Sequence, residues 1–306
     1  ELIQLSNNDE EKLGVSEILS STRVKISRIL EKVATNLADL GLGRFRILSG
    51  TYYSLREITK PDKKSWVEFK GYKIYVDPTE FVGRRVYRGS FHEDELVDKI
   101  RQEVEKGDRV VDIGAHIGST ALIFRKAVSE EGKVFCFEPN PESFEMLQST
   151  IKKNDFDNFE LFNQALGDSN GKVNLKHDSE NTGRSSIKEA KKVNETFNVD
   201  LVEAKSKLEG LGELDWVKID VEGAEYEIIS NLGDGITSFK GIFLELHLDR
   251  LSDNELKQIY EILTTNGEIY TFNEFSAKEI MECPRDNLGV VWKNNTGEDI
   301  KSKENL

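Results

Sequence analysis

Two short segments combine an acidic residue with a tight turn, and together they have the residue types that bind a nucleoside. The first segment, DIGAHIG at residues 112–118, follows an apolar run. Gly114 allows a sharp turn at the end of a strand, and Gly118 allows close packing of the next helix, whose first amides favour an anionic or carboxylate group. Glu138 follows 20 residues after Gly118 at the end of a second apolar run. A carboxylate there can accept both hydroxyls of a ribose, which predicts a site for an adenosine-containing cofactor.

The composition of the first turn distinguishes two classes of cofactor. A dinucleotide fold needs Gly-x-Gly-x-x-Gly, because a pyrophosphate must approach the backbone closely. His116 occupies the second glycine position, and Asp112 would repel phosphates. A carboxylate at position 112 suits the amino group of a methionine-type tail instead. We therefore favour S-adenosylmethionine over NAD, with an NAD-dependent oxidoreductase and a catalytically idle cofactor-binding interaction module as the alternatives.

Strand-like and helix-like segments alternate from about residue 89 onward, which predicts βαβ units and a mostly parallel sheet covered on both faces. The predicted strands are Arg109–Ile113, Lys133–Glu138, Phe159–Gln164, Trp216–Asp220, Gly241–Leu246, Glu268–Phe272 and Leu288–Trp292. The predicted helices are Glu95–Glu105, Ser119–Val128, Pro141–Asn154, Ala224–Leu232 and Asn254–Thr265. Because the last two strands have no helix between them, we expect an antiparallel edge. The fold class is α/β, a doubly wound sheet.

The chain divides into two unequal parts. Residues 1–88 form an N-terminal extension, with a helix over about Glu10–Leu40, short extended pieces at Arg44–Leu48 and Tyr52–Ile58, and a hairpin around Lys70-Gly71. Residues 89–306 form the main domain. Within it, the polar stretch His177–Gly212 interrupts the alternation and is either a functional loop or a mobile one.

Charge and composition exclude several classes of protein. Lys and Arg total 42 against 56 Asp and Glu, a net charge of −14, which disfavours a nucleic-acid partner. No apolar run approaches the ~18 residues of a membrane span, and no signal segment opens the chain. Cys136 and Cys283 make neither a disulfide framework nor a zinc spacing. We expect a cytoplasmic protein.

Five segments in a fixed order resemble the FkbM family of S-adenosylmethionine-dependent methyltransferases. They are DIGAHIG (112–118), FEPNP (137–141), NQALGD (163–168), WVKIDVEGAE (216–225) and FLELH (243–247). The resemblance implies a seven-stranded Rossmann-like methyltransferase sheet of order 3-2-1-4-5-7-6 and methylation of a hydroxyl on a small acceptor, a sugar or a polyketide-like product. It places the methionine end of the cofactor at residues 112–118, the ribose at Glu138 and the adenine after the third strand. The implied cofactor-binding residues are Asp112, Gly114, Ala115, His116, Gly118, Glu138, Pro139, Asn140, Asn163, Ala165, Leu166 and Asp220. His116 departs from the asparagine that is usual in the family.

The candidate catalytic residues follow the fourth and fifth strands of the main sheet. They are Asp220, Glu222, Glu245 and His247. A hydroxyl nucleophile must lose its proton, and histidine is the commonest general base near neutral pH. We predict His247 as the base, with Glu222 or Glu245 orienting it or the substrate. The same four residues could hold Mg²⁺, but no ligand-spacing motif supports a metal, and we predict none.

The residues after the fourth strand also bear on the acceptor. Methyltransferases that act on amino groups often have an Asn/Asp-Pro-Pro-aromatic turn there, whereas this chain has DVEG at residues 220–223. That difference, together with the acidic charge, disfavours methylation of a protein or a nucleic acid.

Overall fold

The computed structural model describes residues 22, 24–26, 28, 29, 33, 63–89, 94–177, 195–272 and 287–294. The chain forms two compact units, Glu1–His92 and Glu93–Leu306. The predicted extended pieces at 44–48 and 52–58, and most of the predicted helix over 10–40, lie outside the described residues. The predicted boundary after residue 88 stays a prediction.

The first unit contains the expected hairpin. Strands β1 (Ser65–Phe69) and β2 (Tyr72–Val76) pair antiparallel around Lys70-Gly71 and precede helix α1 (Phe81–Arg88). Helical residue Arg28 donates hydrogen bonds from its guanidinium to the carbonyls of Tyr87 and Glu68, at 3.1 and 2.7 Å. One side chain therefore joins a helical segment to both the hairpin and α1.

The second unit is built on a seven-stranded sheet with the predicted topology. Its strands are β3 (Arg109–Ile113), β4 (Lys133–Phe137), β5 (Phe159–Phe162), β9 (Trp216–Ile219), β10 (Gly241–His247), β11 (Gly267–Thr271) and β12 (Asn287–Asn294). Their spatial order is β11-β12-β10-β9-β3-β4-β5. Numbered by their place in this sheet, the strands read 6-7-5-4-1-2-3, which is the expected order from the other side. Neighbouring strands are parallel throughout the run β10-β9-β3-β4-β5, whereas β12 is antiparallel to both of its neighbours.

Helices connect the strands and cover the sheet. They are α2 (Asp94–Glu103), α3 (Ser119–Val128), α4 (Pro141–Lys153), α5 (Ala204–Glu209), α6 (Glu225–Leu232) and α7 (Asp253–Asn266). Two have strong N-terminal signals: the Asn140 side chain caps α4 ahead of Pro141, and Ser252 with Glu255 forms a capping box on α7. The central strands are buried along nearly their whole length, as their continuous apolar sequence predicts.

A second, three-stranded sheet accounts for part of the interruption in the alternation. Strands β6 (Ala165–Gly167), β7 (Gly171–His177) and β8 (Glu195–Glu203) lie in the order β6-β8-β7. β8 and the short helix α5 fall within the stretch 177–212 that the sequence analysis treated as a loop. The sequence around β8 is polar at alternate positions, because only one face packs on the small cluster of Ala165, Leu175 and Val199.

Candidate active site

The turn after β3 is held to the end of β4 by backbone amides. The amides of Gly114 and Ala115 both donate to the carbonyl of Phe137, at 2.9 and 3.0 Å. The amide of His116 donates to Glu138 Oε2 at 2.7 Å. His116 has a left-handed backbone, with φ of 51°, which aims its amide at this carboxylate. The two segments that the sequence analysis assigned to one nucleoside therefore meet directly.

Glu138 lies at the centre of this junction. Its side chain is buried, and Oε1 accepts a second amide hydrogen bond, from Asn140, at 2.8 Å. Burial raises the pKa of Glu138 to about 7, against the opposing effect of the two amides. Asn163 donates its side-chain amide to the carbonyls of Glu138 and Pro139, at 2.7 and 3.1 Å, and so fixes the turn after β4.

Asp112 is paired with a lysine inside the sheet. It lies opposite Lys218 in the pairing of β3 with β9, and Lys218 Nζ is 3.1 Å from Asp112 Oδ1. The same ammonium is 3.2 Å from Asp220 Oδ2 and donates to the carbonyl of Gly114. Burial raises the pKa of Asp112, although Lys218 opposes this. Lys218 and His247 instead hold the pKa of Asp220 below its usual value despite burial.

Close backbone packing joins the turn after β3 to the residue after β9. Gly114 has φ of 81°, and a Cβ atom there would lie 1.8 Å from the carbonyl oxygen of Asp220. No side chain fits at this point, so the glycine in the first motif also sets the position of Asp220.

The residues after β9 form a turn with two consecutive left-handed conformations. Glu222 has φ of 55° and Gly223 has φ of 107°. A Cβ atom on Gly223 would be 3.0 Å from Cβ of Arg250, so the glycine lets the arginine pack against the turn. Arg250 then pairs with Glu222 Oε2 at 2.9 Å and donates to the Glu222 carbonyl. These contacts stabilise a turn that its backbone conformation alone disfavours.

His247 is the last residue of β10 and lies among carboxylates. Its Nδ1 atom is 2.7 Å from Glu225 Oε1, while Nε2 is 3.5 Å from Glu222 Oε2 and 3.9 Å from Asp220 Oδ1. The side chain is 3% exposed. Burial lowers the pKa of His247, but the interactions with Glu222 and Glu225 outweigh this and raise the pKa to about 11.

Glu245 faces the same side of β10 as His247, two residues earlier in the strand. Its Oε1 atom accepts a hydrogen bond from Asn287 of β12 at 3.0 Å. Asp220, Glu245 and His247 each offer one potential ligand atom, and these atoms lie within 4.8 Å of one another. All three belong to the carboxyl edge of the sheet, where ligands of doubly wound folds bind.

The structure thus brings most of the predicted site residues to one edge of the sheet. Others have a clear structural contact: Asn140 caps α4, Gly118 approaches Leu147 of α4, and Ala165 and Leu166 are buried in β6. The assignment of each residue to the cofactor or to catalysis stays a prediction.

Three residues of the site have no role in the sequence analysis. Lys218 belongs to the quoted motif WVKIDVEGAE, yet its partner across the strand pair is known only from the fold. Glu225 resembles an ordinary first-turn acid of α6, but it is fully buried against His247. Arg250 follows His247 closely in sequence. Its position near an acidic motif is the one sequence signal that could have pointed to a role for Arg250 in the site.

Comparison with known proteins decides the family. The family model described as "Methyltransferase FkbM domain" matches residues 112–274, more than half of the chain. The chain belongs to the FkbM methyltransferase family. It is a methyltransferase whose methyl donor is S-adenosylmethionine, which confirms the predicted enzyme class and cofactor.

This FkbM methyltransferase is similar to two methyltransferases of named activity. The chain is 27% identical over 189 residues to the hexuronic acid methyltransferase AglP of Haloferax volcanii, covering 59% of this chain and 73% of that protein. It is 26% identical over 172 residues to the 2-O-methyltransferase NoeI of Sinorhizobium fredii, covering 50% of this chain and 69% of that protein.

Solved structures give a more distant likeness. M. jannaschii TYW2 in complex with AdoMet is 12% identical, with a TM-score of 0.40 over 76% of this chain and 88% of that one. Aeropyrum pernix fibrillarin with S-adenosyl-L-methionine is 14% identical, with a TM-score of 0.39 over 76% and 85%. At these scores the likeness adds nothing to the fold already described.

Among the described residues, no helix is both long enough and apolar enough to cross a membrane.

The residues at the carboxyl edge fit the chemistry of S-adenosylmethionine. Each Glu138 oxygen accepts one amide hydrogen and keeps a second lone pair, so the carboxylate can also accept ribose hydroxyls. The carboxylates of this edge outnumber its cations, Lys218, Arg250 and protonated His247. A surplus of negative charge suits a cofactor with a sulfonium and an ammonium group.

Proposed function

We propose that this FkbM methyltransferase transfers a methyl group to a hydroxyl oxygen of a sugar, and that a hexuronic acid is the first acceptor to test. The observation behind the proposal is the group of carboxylates and His247 next to the turn after β3. A hydroxyl gives up its proton as it attacks, so the site needs proton acceptors, which this edge has in excess. AglP is a hexuronic acid methyltransferase and NoeI is a 2-O-methyltransferase, which together support a hydroxyl of a sugar acid as the acceptor.

Glu138 and the turn at residues 112–118 have the binding role in this proposal. The carboxylate of Glu138 accepts the ribose hydroxyls, while the amide of His116 holds that carboxylate in place. Asp220 lies behind the same turn, with its side chain 22% exposed, and faces the positive end of the cofactor. When bound, S-adenosylmethionine supplies a methyl group on a positively charged sulfur, which a hydroxyl oxygen displaces as the carbon–sulfur bond breaks.

Glu222 is our candidate for the group that accepts the hydroxyl proton. Its side chain is 16% exposed, whereas that of His247 is 3% exposed and has Glu225 on one side and Glu222 on the other. A general base must come within hydrogen-bond distance of the proton that it takes. From sequence, His247 was predicted as the base, with Glu222 or Glu245 orienting it or the substrate. We assign the base to Glu222 and the orienting role to the ring, because Glu222 is the more exposed of the two.

The acidic charge of the chain supports a small acceptor rather than a nucleic acid, and a cytoplasmic setting remains part of the proposal. The test incubates the full chain and S-adenosylmethionine with hexuronic acids, neutral hexoses and amines, and measures demethylated cofactor and methylated product. We expect O-methylated sugar product only. Exclusive methylation of an amine would contradict the proposal.

A pair of matched variants tests the role of Glu222. Glu222→Gln should lower turnover by about 10²–10⁴-fold, as is typical for loss of a general base, with cofactor affinity retained. Glu160→Gln removes an acid from a half-exposed ion pair with Lys133 and should leave turnover unchanged. Equal turnover in the two variants would remove Glu222 from the mechanism.

A further inference from the structure

The Nε2 atom of His247 faces two carboxylates at distances that are long for a hydrogen bond. The distances are 3.5 Å to Glu222 Oε2 and 3.9 Å to Asp220 Oδ1. Hydrogen bonds between nitrogen and oxygen are usually about 2.7–3.2 Å long. Two atoms that each lie about 2.1 Å from one octahedral ion are about 3.0 Å apart when adjacent and about 4.2 Å apart when opposite. The 3.9 Å between Nε2 and Asp220 Oδ1 lies between these two separations, nearer to that of opposite ligands.

A third ligand atom lies close to this gap. Asp220, Glu245 and His247 place one atom each within 4.8 Å of the others. Asp220 directly follows β9, and the other two residues lie on one face of the adjacent strand β10. Glu245 is oriented by the hydrogen bond from Asn287. Two rigid neighbouring strands therefore hold the three groups, which a preorganised ion site requires.

An independent observation concerns the other side of the imidazole. Glu225 Oε1 is 2.7 Å from Nδ1, so the carboxylate fixes the ring with Nε2 facing Asp220. Protein metal sites commonly have such a carboxylate behind a histidine ligand. Glu225 is fully buried, and its Oε2 atom has no hydrogen-bond partner among the residues that the structure describes. Its Oε1 atom also accepts a hydrogen bond from the amide of Gly223 at 3.0 Å, so this amide and the imidazole together hold the carboxylate.

We propose that Asp220, Glu245 and His247 bind one divalent cation, with Glu225 positioning the imidazole and the ion taking the place of the Nε2 proton, which is released to solvent. Two carboxylates and one imidazole suit Mn²⁺ or Mg²⁺ better than soft ions, and such a site has open positions for other oxygen ligands. The catalytic use of the ion rests on the proposed function: it would hold and acidify the acceptor hydroxyl beside Glu222. No metal was predicted from sequence, because two of these residues are near neighbours on β10 and the third follows β9, a spacing without a recognisable motif.

Binding of Mn²⁺ to the chelator-treated full chain, followed by electron paramagnetic resonance without cofactor, tests the site. We expect one bound Mn²⁺ per chain and a nitrogen coupling from the imidazole in the pulsed spectrum. Glu225→Gln should weaken binding by about 10–100-fold, the usual effect of removing a carboxylate behind a histidine ligand, and Glu245→Gln by at least as much. Glu160→Gln, the matched control far from the cluster, should bind Mn²⁺ like the parent chain.

Affinity for S-adenosylmethionine, measured separately, shows that each variant is folded. A parent chain that binds S-adenosylmethionine but neither retains Mn²⁺ nor shows nitrogen coupling would overturn the ion site. Retained Mn²⁺ with nitrogen coupling, lost in Glu245→Gln, would establish the site even if no hydroxylated acceptor were methylated. That last result would count against the proposed function alone.

Discussion

Replacing Lys218 by methionine tests how the sheet tolerates an acid in its core. Lys218 Nζ lies 3.1 Å from Asp112 and 3.2 Å from Asp220, and the Lys218 and Asp112 side chains are 5% and 0% exposed. Methionine has nearly the length and volume of the lysine chain, so the change removes the charge and leaves the packing similar. Asp112 is then buried without its cation.

The expected loss of stability follows from that burial. Removing one partner of a buried ion pair costs about 3–5 kcal/mol, because the remaining charge is left uncompensated. Lys240 gives a matched control, since it also bridges two aspartates, Asp108 at 2.7 Å and Asp215 at 3.0 Å, but is 49% exposed. Lys240→Met should cost less than Lys218→Met, because water screens the half-exposed Lys240, although its partner Asp108 is itself buried.

Urea denaturation of the parent and both variants measures these differences. Adding Asp112→Asn to Lys218→Met should restore part of the loss, because the double variant no longer buries an uncompensated carboxylate; coupling of contacting residues is about 0.5–3 kcal/mol. If Lys218→Met were no less stable than Lys240→Met, burial would not explain the contribution of the Lys218–Asp112 pair to the free energy of unfolding.

Two further predictions concern the turn after β3. Burial raises the pKa of Glu138 to about 7, so binding of S-adenosylmethionine, measured calorimetrically, should strengthen as the pH rises through 7 and the carboxylate ionises. Glu138→Gln should abolish this pH dependence. If the affinity of the parent chain did not change between pH 6 and pH 8, the ribose assignment would be contradicted. The sign for stability is opposite: because the folded pKa exceeds the unfolded one, this group's contribution is fully present below about 4.5 and is lost as pH rises through about 7. Gly114→Ala should lower the free energy of unfolding, measured by thermal unfolding, by at least about 1–3 kcal/mol, because the new Cβ would overlap the Asp220 carbonyl. Gly235→Ala, where the nearest atom to the new Cβ is 3.8 Å away, should be nearly neutral. Equal effects of the two variants would exclude the close approach of Gly114 to Asp220.

Much of the sheet could be predicted from sequence because its strands are buried on both faces. The run Val110–Ile113 and its counterpart Val134–Phe137 are continuously apolar apart from Asp112, and glycine or proline marks their ends. Their predicted limits therefore agree with the structure to within a residue. The three-stranded sheet was missed because β6 has only three residues and because the polar, charged sequence before β8 was taken as a loop, although β8 itself has the alternation of a half-buried strand.

The site was predictable only in part, for a related reason. Glu138 and Asp220 end apolar strands, so the sequence alone places both at the carboxyl edge. Lys218 could not be assigned, because its role depends on lying opposite Asp112 in a parallel pair whose register the sequence does not contain. The protonation state of His247 depends in the same way on Glu225, a residue that reads as an ordinary helix-start acid.

The two lysine-centred groups show what distinguishes a site from a surface contact in this sheet. The group around Lys240 lies where β3, β9 and β10 begin, and the group around Lys218 lies where β3 and β9 end. Their residue types are the same, a lysine between two aspartates. At the amino edge the lysine is half exposed and water screens its charge, so the contact only helps to align strands. At the carboxyl edge Lys218 and Asp112 are buried beside a turn where only glycine fits, and their charges are therefore less screened from neighbouring groups. The residue types do not distinguish the two groups. The deeper burial of the group around Lys218 is what suits it to a functional site.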